Sequence, residues 1–166
     1  MHFVRDALPR APVGAGERAV TSAVVVGIGQ PRAGDDGVGI AVARALAARG
    51  IEVRESADAA ILLSLLEERR RVVLVDAVVG GGEVGDVLHV GPEALALRGA
   101  PLSSHGVGVA QAIALSRALY GDEAARGVDV VAVVIERPRG LVEGLSPAVA
   151  DAVPRAAELA ARLARG

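Results

Sequence analysis

The stretch Ala23-Val24-Val25-Val26-Gly27-Ile28-Gly29-Gln30-Pro31-Arg32-Ala33-Gly34-Asp35-Asp36-Gly37-Val38-Gly39 decides the fold. It opens with a short, continuous, β-branched run bounded by glycine, the pattern of a strand buried on both faces. A glycine-rich turn follows from Gly29 to Gly37. Beyond it Val38, Ala41, Val42, Ala45 and Leu46 recur at helical spacing, and Gly50 stands where a C-cap glycine would end the helix.

The same alternation continues toward the C-terminus. Ile51 to Glu55 reads as a strand, and Ala59 to Arg70 as a helix whose apolar positions are Ile61, Leu62, Leu65 and Leu66. Val72-Val73-Leu74-Val75-Asp76 reads as a second fully buried strand that ends in an acid. After the break at Gly80-Gly81-Gly82, Val87 to Val90 is a short strand reached without a helix, so it is expected to run antiparallel or lie at an edge. A helix over Ser104 to Leu119, a strand over Val128 to Ile135 and a loop over Arg137 to Gly144 complete the pattern. Ser146-Pro147 then opens a final helix, with Ser as N-cap and Pro in the first turn. Alternating strands and helices predict a three-layer α/β/α sandwich around a mostly parallel five-stranded sheet with one antiparallel or edge strand. Residues 1–22, with Pro9, Pro12, Gly14 and Gly16 and no period, read as a flexible leader, and residues 23–166 as a single α/β domain.

Composition narrows the function. The chain of 166 residues is 52 % hydrophobic and 23 % charged, which excludes a disordered polymer. Aromatic residues are almost absent, so the chain lacks the stacking platforms of single-strand nucleic-acid readers. A net charge of −2 leaves no electrostatic footprint for duplex DNA. The absence of Cys excludes a thiolate nucleophile and any Cys-based metal site. No apolar run approaches the roughly 20 residues of a membrane span, and no secretory h-region is seen, so a cytoplasmic protein with no membrane partner is expected.

In open α/β sheets, sites form beyond the carboxyl ends of the strands. Three groups of polar residues fall there: Asp35 and Asp36 in the first turn, Asp76 at the end of its strand, and His105 beside Ser103-Ser104 at a helix start. Two phosphate-binding motifs nearly fit the turn, and both fail. The third dinucleotide glycine would be residue 32, which is Arg, and the P-loop spacing Gly29 to Gly34 is followed by Asp35-Asp36 rather than Lys and Ser/Thr. Carboxylates there repel a phosphate and attract a cation or hold a proton. Asp35 is a candidate cap for the helix starting near Gly37, which leaves Asp36 to face the cleft. Asp76 either caps a turn or emerges from a dry core as a functional group. His105 is either a solvated residue at a helix start or a neutral imidazole of the kind that ligates metals. Two carboxylates and an imidazole form an incomplete set suited to a divalent transition metal. Ser103-Ser104 reads as a cap, His89 as solvated, and Glu136-Arg137 as an ion pair or a ligand contact.

Four segments, in order, resemble the [NiFe]-hydrogenase maturation endopeptidases. They are Val24 to Gly39, Val73-Leu74-Val75-Asp76-Ala77-Val78, Ser103-Ser104-His105-Gly106-Val107-Gly108, and Ile135-Glu136-Arg137-Pro138 with Gly144-Leu145-Ser146-Pro147. Gln30 stands where that family usually has Asn, Arg32 where it has an apolar residue, and Ser56-Ala57-Asp58 where it often has Asp-Gly-Gly. The resemblance implies a peptidase that removes a C-terminal extension from the precursor of a hydrogenase large subunit once nickel has been inserted. It also implies that Asp36, Asp76 and His105 are the metal-contacting and catalytic residues, and that the nickel is supplied by the substrate rather than permanently bound. The alternative is a non-catalytic, metal-gated maturation chaperone or binding module with the same three ligands. A nucleotide-binding domain is disfavoured by Asp35-Asp36. A monomer is the expected state for a small enzyme that docks a large protein.

Overall fold

A computed structural model describes residues 23–68, 71–91 and 108–166. The leader expected over residues 1–22, the start of the helix expected from Ser104, and His105 itself lie outside the described residues. Five strands form one sheet: β1 (Val24–Ile28), β2 (Val53–Ser56), β3 (Val72–Val79), β4 (Val87–Val90) and β5 (Val128–Ile135), in spatial order β2-β1-β3-β5-β4. The first three and β5 pair in parallel, and β4 runs antiparallel against β5. The short connection after β3 therefore produces a strand that is both antiparallel and at an edge, but it pairs with β5 on the side away from β3 rather than with β3 itself.

Among the described residues the helices are α1 (Val38–Ala47), α2 (Ile61–Glu67), α3 (Val109–Tyr120), the single turn α4 (Asp122–Ala125) and α5 (Pro147–Arg165). They cover both faces, which is why β1 and β3 and most of β5 carry no polar alternation. On one face Val26, Leu74 and Val130 pack with Leu62 and Leu66 of α2 and Ile113 of α3. On the other, Val25, Val73 and Val131 pack with Val42 and Leu46 of α1 and Val149 and Ala156 of α5. The edge strand β2 is exposed at Arg54 and Glu55, and Arg44 of α1 grips Glu55 with two bonds of 2.9 Å. Charges on an edge discourage further strand pairing. Leu46 is fully buried, and Leu46→Ala is expected to cost about 2–5 kcal/mol, read as a lower denaturation midpoint at unchanged slope.

Several boundaries differ from the sequence reading. The second strand begins at Val53, and Ile51 stands outside it. The helix expected over 59–70 is shorter, because Asp58 Oδ1 accepts the Ala60 N–H at 2.8 Å and holds the preceding residues in a turn. The turn α4 has no counterpart in the reading, since four residues are too few to show a period. Asp76 does not end its strand. β3 continues three residues to Val79, as Ala77, Val78 and Val79 pair on with β5. No helix among the described residues is long and apolar enough to cross a membrane.

Candidate active site

The site begins where β1 stops. Its pairing with β3 ends at Gly27 opposite Val75, so the next residue on β3, Asp76, lies at the carboxyl rim of the shorter strand. Strand periodicity sets the direction of Asp76. Val73, Val75 and Ala77 belong to the α1/α5 face, whereas Leu74 and Val78 belong to the α2/α3 face. Asp76 shares the parity of Leu74 and Val78, so its carboxylate goes to the α2/α3 side. It is 4 % exposed, and its Oδ1 accepts the N–H of Ala77 at 2.8 Å.

Asp36 comes from the other side of the same rim. After β1 the chain turns at Gly29, with φ +151°, and a Cβ there would collide with the carbonyl of Asp36. Only glycine lets the strand end pass this close to the turn that follows. Gly34–Gly37 form one 3₁₀ turn that packs on β3 and buries Asp36 to 4 % exposure. Among the described residues Asp36, Asp76 and Ser116 are the buried polar side chains. Ser116 is satisfied within its own helix, donating to the Ala112 carbonyl at 2.8 Å. The other two are carboxylates near the carboxyl end of β1, Asp36 in the turn that follows it and Asp76 on the neighbouring β3 just past the last β1 pairing.

The third expected member, His105, lies outside the described residues. The chain becomes described again at Gly108, whose N–H donates to Gln111 Oε1 at 3.0 Å at the head of α3. Val109 of α3 packs in the same core cluster as Val78, on the face that carries Asp76. No cluster of three or more His, Cys, Asp or Glu side chains fit to hold a metal is found among the described residues. The expected set draws its third ligand from beyond them.

Two side chains, those of Asp35 and Ser146, behave differently from their sequence reading, while His89 is exposed as read. Asp35 does not cap the helix after Gly37; its carboxylate receives the backbone N–H of Ser146 at 2.6 Å and the Ser146 hydroxyl at 2.8 Å. Ser146 does precede α5 with Pro147 behind it, but its hydroxyl serves Asp35 rather than its own helix. His89 is also bonded, with Nε2 2.8 Å from Asp129 Oδ1 across the β4–β5 pair. Glu136 and Arg137 form no ion pair among the described residues. They line a cleft of about 300 Å³ between Ala33–Asp35 and the loop from Glu136 to Ser146. The sequence touched this cleft only at Glu136-Arg137, read as an ion pair or a ligand contact, because its walls are brought together from distant parts of the chain. Neither Asp36 nor Asp76 lines it; it adjoins the turn that carries Asp36.

Residues 56–163 match the family described as hydrogenase maturation protease, HycI. The chain belongs to the hydrogenase maturation protease family. The matched span includes Asp76, His105 and Ser146, while the turn bearing Asp36 precedes it. Protein FrxA from Pyrococcus furiosus is 36 % identical over 132 residues, covering 76 % of this chain and 93 % of FrxA. The fold matches that of [NiFe] hydrogenase maturation protease HybD from Thermococcus kodakarensis, with a TM-score of 0.71 at 26 % identity over 86 % of this chain and 98 % of that one. It also matches hydrogenase maturating endopeptidase HybD from E. coli, with a TM-score of 0.67 at 22 % identity over 86 % and 91 % of the two chains. Membership of a protease family makes the chain a hydrolase, and the five-stranded sheet with helices on both faces is the fold of these proteases.

Proposed function

We propose that this protein is the endopeptidase that removes the C-terminal extension of a nickel-loaded [NiFe]-hydrogenase large-subunit precursor, acting as a monomer in the cytoplasm. The observation that carries this reading is the pair of buried carboxylates, Asp36 and Asp76, reaching one rim of the sheet from separate elements. In this reading the nickel is part of the substrate. Asp36 and Asp76 present oxygen donors to it and His105 a neutral imidazole, a mixed set suited to a divalent transition metal. Their grip holds the scissile peptide against the rim, and the carboxylates supply the base that attack by water on a peptide carbonyl requires.

The test is incubation of the protein with nickel-loaded and nickel-free precursor, followed by intact mass measurement. The loaded precursor is expected to lose the mass of its extension and the nickel-free one to keep it. His105→Ala is expected to leave the loaded precursor uncut. A stable complex with precursor of unchanged mass would instead identify a binding module.

A further inference from the structure

The turn that carries Asp36 is tied to a distant part of the chain through its other acid. Asp35 Oδ1 accepts the Ser146 N–H at 2.6 Å, and Oδ2 accepts the Ser146 hydroxyl at 2.8 Å. A second link runs alongside: the Gly34 N–H donates to the Val142 carbonyl at 2.6 Å, within a parallel bridge between Ala33 and Val142. Ala33–Asp35 is thus stitched to Val142–Ser146 at both ends. Ser146 leads directly into α5, a 19-residue helix whose buried face packs in the core with β3 and β5. A carboxylate at a helix N-terminus gains from the dipole, and bonds to a charged acceptor are stronger than neutral ones. Asp35 therefore grips a rigid body.

The 3₁₀ turn converts this grip into a direction. With about three residues per turn, neighbouring side chains diverge by roughly 120°. Asp35, half-buried, is held on Ser146, and Asp36 is turned away from it into a buried position. We infer that Asp35 and Ser146 are a positioning pair for the peptidase reaction: their clamp sets the direction of Asp36 and holds the 136–145 wall of the cleft against the turn. The inference rests on the function proposed above. Neither residue needs to touch the substrate.

Ser146→Ala keeps the backbone N–H bond to Asp35 and loses the hydroxyl. It is expected to lower kcat for the precursor on the order of tenfold while KM changes less than about twofold. Ser146→Thr, which restores the hydroxyl, is expected to recover the rate. Asp35→Ala removes both bonds, and the double variant with Ser146→Ala is expected to be no slower than Asp35→Ala alone, since the two act as one unit. A readout independent of turnover is the carboxyl ¹³C resonance of Asp36, which is expected to move in Ser146→Ala and return in Ser146→Thr. Lost stability without repositioning would leave that resonance in place. Wild-type rates in Ser146→Ala, failure of Ser146→Thr to recover, or an unmoved Asp36 resonance would each overturn the clamp. A wild-type protein that cuts no precursor sinks the peptidase reading, and the resonance still decides the clamp.

Discussion

Replacing Asp76 by Asn is expected to slow precursor cleavage at least about 100-fold, the scale of losing a general base or an electrostatic partner at a reacting centre. The fold is expected to persist. Asn has nearly the shape of Asp and keeps a carbonyl oxygen to accept the Ala77 N–H that Asp76 Oδ1 now receives. A neutral amide is also cheaper to bury than a carboxylate, so the substitution removes charge from the rim without emptying it. Asp36→Asn is expected to behave the same way, because Asp36 is as deeply buried in the turn after β1. The measurements are initial rates of extension removal by mass spectrometry beside a thermal unfolding curve for each variant. A folded Asp76→Asn protein that cleaves at the wild-type rate would remove Asp76 from the reaction.

A large structural effect is expected at Gly39, in the first turn of α1. A Cβ there would run into the carbonyl oxygens of Ile28 and Val75. Both belong to central strands, and neither can yield as the tip of a flexible side chain would. Gly39→Ala must therefore lift α1 off β1 and β3, thinning the contacts of Val38, Val42 and Leu46 in the core. The expected cost is about 3 kcal/mol, the upper end for overpacking a well-filled interior. Because the turn bearing Asp36 runs directly into α1, cleavage is expected to fall as well. Gly91→Ala is the control, since among the described residues a Cβ at Gly91 meets nothing within 4 Å, and it is expected to be near neutral. Denaturant midpoints for the two variants check the contrast; equal midpoints would mean that α1 does not approach the sheet this closely.

These expectations draw on two kinds of information. The central strands were legible because helices cover both faces of the sheet, and such strands read as unbroken apolar runs. The antiparallel edge strand was legible because the connection before it is too short for a parallel crossover. The failure of the phosphate motifs was legible in two letters, Asp35 and Asp36, standing where a P-loop has Lys and Ser/Thr. The end of β3 was harder. An acid after four apolar residues looks like a terminus, but Ala77, Val78 and Val79 continue the pairing with β5, so the strand carries Asp76 inside it.

Local pattern alone determined that this chain alternates strands and helices, that acids follow β1, and that another acid follows the apolar run Val72 to Val75. It singled out Asp36 only by reading Asp35 as a cap of the next helix, and could not show what holds Asp35 aside and Asp36 inward. That arrangement depends on Ser146, 111 residues away from Asp35, whose N–H and hydroxyl take one carboxylate and leave the other turned inward. Periodicity reports which face of an element is apolar, whereas the partner of a polar group is fixed only when separate elements dock. The tertiary structure therefore decided the division of labour in the pair: Asp35 on the clamp, Asp36 at the rim.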